Sequence, residues 1–91
     1  MSVRRTIAVT NKKGLHARAS RKLAELALNY ESTRIIVRRD DEEADARSLM
    51  DLMMLGAGVG MDVEVETRGP EAEEAMAQVE ALFAAKFYET E

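Results

Sequence analysis

The chain of 91 residues is long enough for one domain with a single modest hydrophobic core. Its net charge of −4 and its 33% of charged residues argue against general electrostatic binding to nucleic acid. The absence of cysteine excludes disulfide bonds and thiolate chemistry, and is compatible with a reducing cytoplasmic location. No segment resembles a signal peptide or a membrane span, so no membrane association is expected.

Hydrophobic periodicity predicts seven elements in the order β-α-β-β-α-β-α. β-branched or alternating residues indicate strands over residues 5–10, 32–38, 44–47 and 61–68. Apolar spacings of three and four indicate helices over residues 17–29, 49–55 and 70–87. The predicted buried stripe of the last helix consists of Ala72, Ala75, Met76, Val79, Leu82, Phe83 and Phe87. We expect one α+β domain over residues 1–91.

The clearest strand pattern lies in residues 61–68, where apolar and acidic residues alternate strictly. The side chains predicted to point inward are Met61, Val63 and Val65, and those predicted to face water are Asp62, Glu64 and Glu66. A strand with one wet face is typical of an antiparallel sheet covered on one side only. We therefore expect all helices to pack on a single face of the sheet.

Turn and cap residues mark the ends of the predicted elements. The charged segment 39–43 is expected to form a solvated hairpin turn, and the three glycines in segment 56–60 a flexible turn. Ser48, followed three residues later by Asp51, approximates a capping box at the start of a short helix. Pro70 is expected at the first position of the last helix.

The segment 14–18 contains the only histidine of the chain, His16, at the expected start of the first helix. Gly14 permits a sharp turn before it, and the unpaired N–H groups of a helix start attract anions. Arg18 adds a guanidinium that can bind phosphate. A neutral imidazole accepts phosphate near pH 7 because its reference pKa is about 6.5. A lone histidine is more often a polar surface or core group, but this context favours a phosphate site. Without a second histidine or a cysteine, no metal site is expected.

The helix predicted over residues 49–55 is apolar on nearly every side. Two interpretations remain open from the residues alone. It is either a core helix with some leftover exposure, or Leu49, Met50 and Met53 form an exposed docking patch. A phosphate on Ser48 would place about two negative charges beside that patch.

Together these two segments resemble the HPr family of the bacterial phosphotransferase system. Residues 14–18 (GLHAR) are similar to its active-site motif, and residues 47–55 (RSLMDLMML) to its regulatory-serine motif, at the family's usual separation. The resemblance implies an open-faced βαββαβα sandwich, with three helices over a four-stranded antiparallel sheet.

The resemblance also implies roles for individual residues. His16 would accept a phosphoryl group through Nδ1 from enzyme I and pass it to an enzyme IIA protein, with Arg18 steadying the phosphate. Ser48 would be the position modified by an HPr kinase/phosphorylase in bacteria that have one. The implied partner surface consists of Ala17, Ser20, Leu49, Met50 and Met53. Such a protein is a phosphoryl carrier rather than an enzyme, and no cofactor, membrane or nucleic acid is implied.

The chain departs from the family pattern at Ala19, where proline is usual. The loss of a fixed φ should loosen the helix start slightly, although alanine favours helix. The acidic turn and the C-terminal segment are similar to the nitrogen-related NPr branch, which commonly regulates other proteins. A sugar-transport HPr and a regulatory binding module that never carries phosphate remain alternatives. An acyl carrier is disfavoured by the alternating strand and by Arg47 before the serine.

Overall fold

The computed structural model describes residues 1–89 as four strands, three α-helices and a short C-terminal 3-10 turn. The strands are β1 (Ser2–Ala8), β2 (Arg34–Arg39), β3 (Glu42–Asp45) and β4 (Asp62–Arg68). The helices are α1 (Ala17–Leu28), α2 (Leu49–Met54) and α3 (Ala72–Ala84), and the 3-10 turn spans Lys86–Tyr88. Over residues 1–89, no helix has both the length and the apolar character needed to cross a membrane.

The strands form one sheet in the order β1-β4-β2-β3, and all neighbouring pairs are antiparallel. The central strand β4 pairs Val63 with Ile7 of β1 and Val65 with Val37 of β2. Val37, Val63 and Val65 are almost completely buried in the core. The predicted open-faced sandwich with four antiparallel strands and three helices is confirmed.

The core lies between the apolar face of the sheet and the three helices. Each helix contributes a fully buried anchor, namely Leu23 from α1, Leu52 from α2 and Val79 from α3. Burying each such side chain contributes about 1.5–3 kcal/mol relative to its exposure in the unfolded chain. The helices therefore gain most of their stability by covering the sheet, and the short α2 depends on this packing most.

Several predicted boundaries shift because pairing, rather than local sequence, decides where a strand ends. β1 starts at Ser2, opposite Arg68, and stops at Ala8, opposite Asp62. β3 covers Glu42–Asp45, so the hairpin turn is limited to residues 40 and 41. The positive φ of 54° at Asp40 fits a tight turn, in which aspartate tolerates this region.

Two predictions about β4 are wrong. Met61 is 39% exposed and precedes the strand instead of pointing into the core. Glu66 does lie on the outer face of the sheet but is only 2% exposed. Arg4, Arg38 and Arg68 cover it with their side chains, so this position is not wet.

The last helix is shorter than predicted at both ends. It begins at Ala72, after Glu71 at the N-cap position, so Pro70 is not its first residue. The backbone N–H of Glu71 donates to Thr33 Oγ1 at 3.0 Å, which ties the helix start to the segment before β2. The helix ends at Ala84, and Phe87, although fully buried, lies beyond it in the 3-10 turn. Residues 90 and 91 of the acidic C-terminal tail lie outside the described residues.

Candidate functional site

Gly14 fixes the loop that leads into α1. Its φ of +63° is in the left-handed region, and an added Cβ would lie 2.3 Å from the Ala57 carbonyl oxygen and 2.8 Å from Gly58 Cα. The N–H of Leu15 donates to the same Ala57 oxygen at 2.9 Å. This close approach joins the loop before α1 to the loop after α2, and so brings the two sequence motifs to one end of the molecule.

His16 is the N-cap residue of α1. Its backbone is extended (φ −76°, ψ −176°), and its Nδ1 accepts a hydrogen bond from the Arg18 backbone N–H at 3.2 Å. A backbone amide can only donate, so Nδ1 carries its lone pair and no proton in this arrangement. The side chain is 28% exposed. Nδ1 is therefore the unprotonated ring nitrogen and faces the start of a helix, where an added negative charge is stabilised.

The other ring nitrogen, Nε2, contacts the carboxylate of Glu89. The second carboxylate oxygen of Glu89 accepts from Asn11 Nδ2 at 3.2 Å, and the same amide nitrogen donates to the Gly14 carbonyl at 2.8 Å. Burial raises the pKa of Glu89, but the hydrogen bonds from His16 and Asn11 and the charges of His16 and Lys13 outweigh it, so that this pKa lies below its usual value. The carboxylate is thus ionised at neutral pH and can only accept.

An open depression of about 420 Å³ lies beside His16. Its lining consists of Lys13, His16, Ala17, Arg18, Arg21 and Leu49. Over residues 1–89, the guanidinium groups of Arg18 and Arg21 form no hydrogen bond or ion pair. These cations are available to an incoming anion, and Leu49 brings α2 to the edge of the same depression.

The helix α2 presents a divided surface. Leu52 and Leu55 are buried in the core, whereas Leu49, Met50, Met53 and Met54 are 38–70% exposed. Ser48 caps this helix, since its Oγ accepts from the Asp51 N–H at 3.2 Å, as the sequence predicts. These exposed side chains form an apolar patch, and Leu49 is the member of the patch that also lines the depression.

The residues of α1 differ in their access to this surface. Ala17 is exposed and lines the depression. Ser20 is fully buried, and its hydroxyl donates to the Leu15 carbonyl at 3.0 Å. The structure therefore does not support Ser20 as a partner-contacting residue, and assigns it to holding the loop before His16. Ala19 is also fully buried, and α1 starts regularly at Ala17 without the proline that is usual at position 19.

Four residues of the site are absent from the sequence-based prediction. Lys13 and Arg21 lie within five positions of His16 in the sequence, but that proximity alone does not place their side chains beside the His16 ring. No sequence pattern indicates the contact of Asn11 with Glu89. Glu89 is separated from His16 by 73 positions, and no local pattern relates the two.

Comparison with known proteins agrees with this architecture. The family model described as "PTS HPr component phosphorylation site" matches residues 3–85. The phosphocarrier protein HPr of Cupriavidus necator is 46% identical over 98% of this chain and 99% of its own length. The phosphocarrier protein NPr of Escherichia coli K12 is 42% identical over the same shares.

A solved structure shows the same fold at high similarity. The crystal structure of HPr-C-His from Thermoanaerobacter tengcongensis has a TM-score of 0.90 and 34% identity, and the match covers 98% of this chain and 99% of that one. With both sequence and fold matched over nearly the full length, the chain belongs to the HPr family of phosphocarrier proteins of the phosphotransferase system.

Proposed function

We propose that His16 accepts a phosphoryl group on Nδ1 from enzyme I and passes it to an enzyme IIA protein. The observation that carries this proposal is the unprotonated Nδ1 at the N-cap of α1, beside a depression lined by Lys13, Arg18 and Arg21. The chain then acts as a carrier rather than an enzyme, because the phosphoryl group resides on its own side chain between two partner proteins.

The chemistry follows from the position of Nδ1. Its lone pair forms a bond to phosphorus while the bond between phosphorus and the donor breaks, and the electron pair of that bond leaves with the donor. The phosphoryl oxygens then lie near the first N–H groups of α1, which attract anions. The Arg18 guanidinium, which has no other partner in the described part of the chain, would bind them through a charge-assisted pair.

Incubation with enzyme I and radiolabelled phosphoenolpyruvate tests this proposal. We expect acid-labile label on the wild type, no label on His16→Ala and undiminished label on Ser48→Ala. Circular dichroism of each variant establishes that it is folded. Label that persists in His16→Ala would overturn the assignment, and absence of label from the folded wild type would favour the alternative of a regulatory binding module.

We propose that the partner surface is formed by Ala17 together with the exposed face of α2, namely Leu49, Met50 and Met53. An apolar patch that adjoins the acceptor nitrogen lets a partner exclude water from the transferring group. We expect Met53→Glu to weaken transfer from enzyme I while leaving the protein folded, because Met53 is 38% exposed. Leu28→Glu is the matched control, since Leu28 is 62% exposed at the opposite end of α1. Unfolding of Met53→Glu would show that the side chain belongs to the core.

We propose that the chain works in a nitrogen-type, regulatory phosphotransferase system in the cytoplasm. The match to a relative named NPr supports this branch, together with the acidic hairpin around residues 40–43. The 46% identity to a relative named HPr supports the alternative, a sugar-transport carrier. Initial rates of phosphorylation by purified nitrogen-type and sugar-type enzyme I separate the two. A faster reaction with the sugar-type enzyme would reject the nitrogen-type assignment.

Ser48 is proposed as a regulatory phosphorylation site where a suitable kinase is present. Ser48 is half-buried at the start of α2, next to Leu49 at the edge of the depression. A phosphate there would add negative charge beside the patch and repel an acidic partner. We expect Ser48→Asp to slow transfer from enzyme I and Ser48→Ala to leave it unchanged. Equal rates in both variants would contradict a regulatory role.

A further inference from the structure

The last residues that the structure describes have an unusual backbone conformation. We call residues 86–89 the C-terminal strap. Lys86, Phe87 and Tyr88 have φ values of 54°, 55° and 57°, which is the left-handed region, and none of them is glycine. This conformation costs roughly 1–2 kcal/mol per residue, so other contacts must hold it in place. Such strain persists where the surrounding structure fixes it, and it clusters at functional sites.

Contacts with Lys22 of α1 and Phe83 of α3 hold the strap against these two helices. The Phe87 ring is fully buried and packs edge-on against Phe83, with the ring centroids 4.8 Å apart. Lys22 of α1 donates from Nζ to the Phe87 carbonyl at 2.5 Å and lies 5.6 Å from the centroid of the Tyr88 ring. The left-handed turn between these contacts redirects the backbone and delivers Glu89 to the start of α1.

Glu89 is the residue that the strap places in the site. Its side chain is only 7% exposed, and its two carboxylate oxygens reach His16 Nε2 and Asn11 Nδ2. The Asn11 amide is oriented unambiguously, because both groups that it faces, Glu89 and the Gly14 carbonyl, are acceptors. The Glu89 carboxylate is therefore held in place by Asn11, and it contacts the His16 ring at Nε2 rather than at the proposed acceptor nitrogen Nδ1.

The hydrogen bonds of the ring define its tautomer. Nδ1 accepts from the Arg18 backbone amide and Nε2 faces an ionised carboxylate, so the neutral ring carries its proton on Nε2. A carboxylate behind an imidazole fixes the orientation of the ring and increases the basicity of the opposite nitrogen, as it does in metal sites and in hydrolytic triads.

We propose that Glu89 is a positioning residue that holds His16 in the Nε2–H tautomer and presents the Nδ1 lone pair for phosphoryl transfer. This inference rests on the proposed acceptor role of His16. When Nδ1 bonds to phosphorus, the ring, still protonated on Nε2, becomes cationic, and the Glu89 carboxylate balances this charge. In onward transfer the bond between Nδ1 and phosphorus breaks, its electron pair returns to Nδ1, and the ring returns to its neutral form beside the same carboxylate.

The single histidine makes the hydrogen bond directly observable. In protein labelled with 15N-histidine, we expect a pyridine-type signal for Nδ1, a pyrrole-type signal for Nε2 and a slowly exchanging Nε2–H proton. Glu89→Ala should lose this proton signal through exchange with water. The control variant is Glu73→Ala, which removes a carboxylate of the same charge from the exposed surface of α3. This variant should retain the Nε2–H proton signal. A spectrum that is identical in wild type and Glu89→Ala would overturn the proposal.

Single-turnover transfer from phosphorylated enzyme I measures the consequence for the reaction. Glu89→Ala should slow transfer by about tenfold at saturating donor, the lower end of the loss that follows when an imidazole loses its carboxylate partner in metal sites. Glu89→Gln keeps a hydrogen-bond acceptor without the charge, so its transfer rate should lie between those of Glu89→Ala and the wild type. The transfer rate of Glu73→Ala should match that of the wild type.

The outcomes separate this inference from the proposed function. Unchanged transfer in Glu89→Ala, with label still on His16, would overturn the positioning role alone. Faster transfer would also overturn it, because the strap would then act as an inhibitory cover. If the wild type takes no label at all, the acceptor assignment fails, whereas the spectra still decide whether Glu89 fixes the tautomer.

Discussion

Two buried carboxylates, Glu66 and Glu89, lie in different parts of the molecule and have different kinds of partner. Glu66, on the outer face of the sheet, is 2% exposed and receives hydrogen bonds from Ser2 at 2.9 Å, Arg38 at 2.9 Å and Arg68 at 3.0 Å. Glu89, in the C-terminal strap, is 7% exposed and contacts His16 and Asn11. The partners of Glu66 include guanidinium groups that stay charged, whereas the main partner of Glu89 is the imidazole of His16, the proposed phosphoryl acceptor.

This difference separates a structural carboxylate from one that can take part in chemistry. Burial alone raises the pKa of Glu66, but the hydrogen bonds from Ser2, Arg38 and Arg68 and the charge of Arg4 lower it to about 2. In return, the hydrogen bond to Glu66 raises the pKa of Arg38 above its usual range. That cluster is ionised at neutral pH and joins strands β1, β2 and β4. The pair at the site responds to any change in the charge of the ring.

Phe87→Ala should give the largest change, because it removes the anchor of the strap. Truncating a fully buried phenylalanine costs about 3–5 kcal/mol, and we expect about 3 kcal/mol here, since release of the left-handed turn offsets part of the loss. Urea unfolding measures this difference in the free energy of unfolding. The Glu66 cluster should be unaffected, while the slowly exchanging Nε2–H proton of His16 should disappear.

A control for this variant lies next to it in the chain. Tyr88 shares the left-handed turn but is 71% exposed, so Tyr88→Ala should change stability by only about 0.5 kcal/mol through its contact with Lys22. An equal loss in both variants would show that the turn itself, and not the buried Phe87 ring, determines the stability of the strap.

Glu66→Gln should cost about 2 kcal/mol of stability and leave phosphoryl transfer unchanged. The charge-assisted hydrogen bonds of this carboxylate contribute about 1.5–3 kcal/mol each in favourable cases, and partial exposure of Arg4 and Arg68 lets water replace some of them. Urea unfolding and single-turnover transfer measured on the same preparation test both parts. Slower transfer in a stable Glu66→Gln variant would contradict the assignment of a purely structural role to Glu66.

The same cluster predicts how stability depends on acid. Because the pKa of Glu66 falls from its ordinary 4.5 to about 2 on folding, its contribution is fully present above about pH 4.5. It is lost as the pH falls from about 4.5 toward about 2, where the folded state must take up the proton. Unfolding free energies measured across this window should fall more steeply in the wild type than in Glu66→Gln. Parallel curves would show that the carboxylate titrates normally in the folded protein.

The sequence predicts those features that depend on neighbouring residues. The start of α1 after His16 and the Ser48 cap follow from local hydrogen bonding, and the periodic stripe of α3 follows from helical spacing. The order of the elements was predicted for the same reason. The two motifs together, read as a resemblance, predicted the fold and the acceptor candidate.

Features that depend on distant contacts could not be predicted in this way. Alternation correctly placed Glu66 on the outer face, but its burial depends on arginines from two other strands. Phe87 was correctly assigned to the core, yet helical spacing could not indicate that three consecutive residues with positive φ follow the end of α3. The contact between Glu89 and His16 depends on that turn, so it became visible only in the structure.

Glu89→Ala should have the smallest effect on stability, although it acts at the site itself. The contact with His16 is partly exposed to water, because the imidazole is 28% exposed, and exposed contacts that involve a charge contribute about 0–1 kcal/mol. We expect a loss of about 0.5 kcal/mol in urea unfolding, well below that of Glu66→Gln, together with the roughly tenfold slower transfer expected for a positioning residue. A loss equal to that of Glu66→Gln would show that Glu89 is structural as well. Glu66→Gln should therefore lose more stability, and Glu89→Ala should lose more of the transfer rate. This result distinguishes a carboxylate that stabilises the fold from one that orients the phosphoryl acceptor.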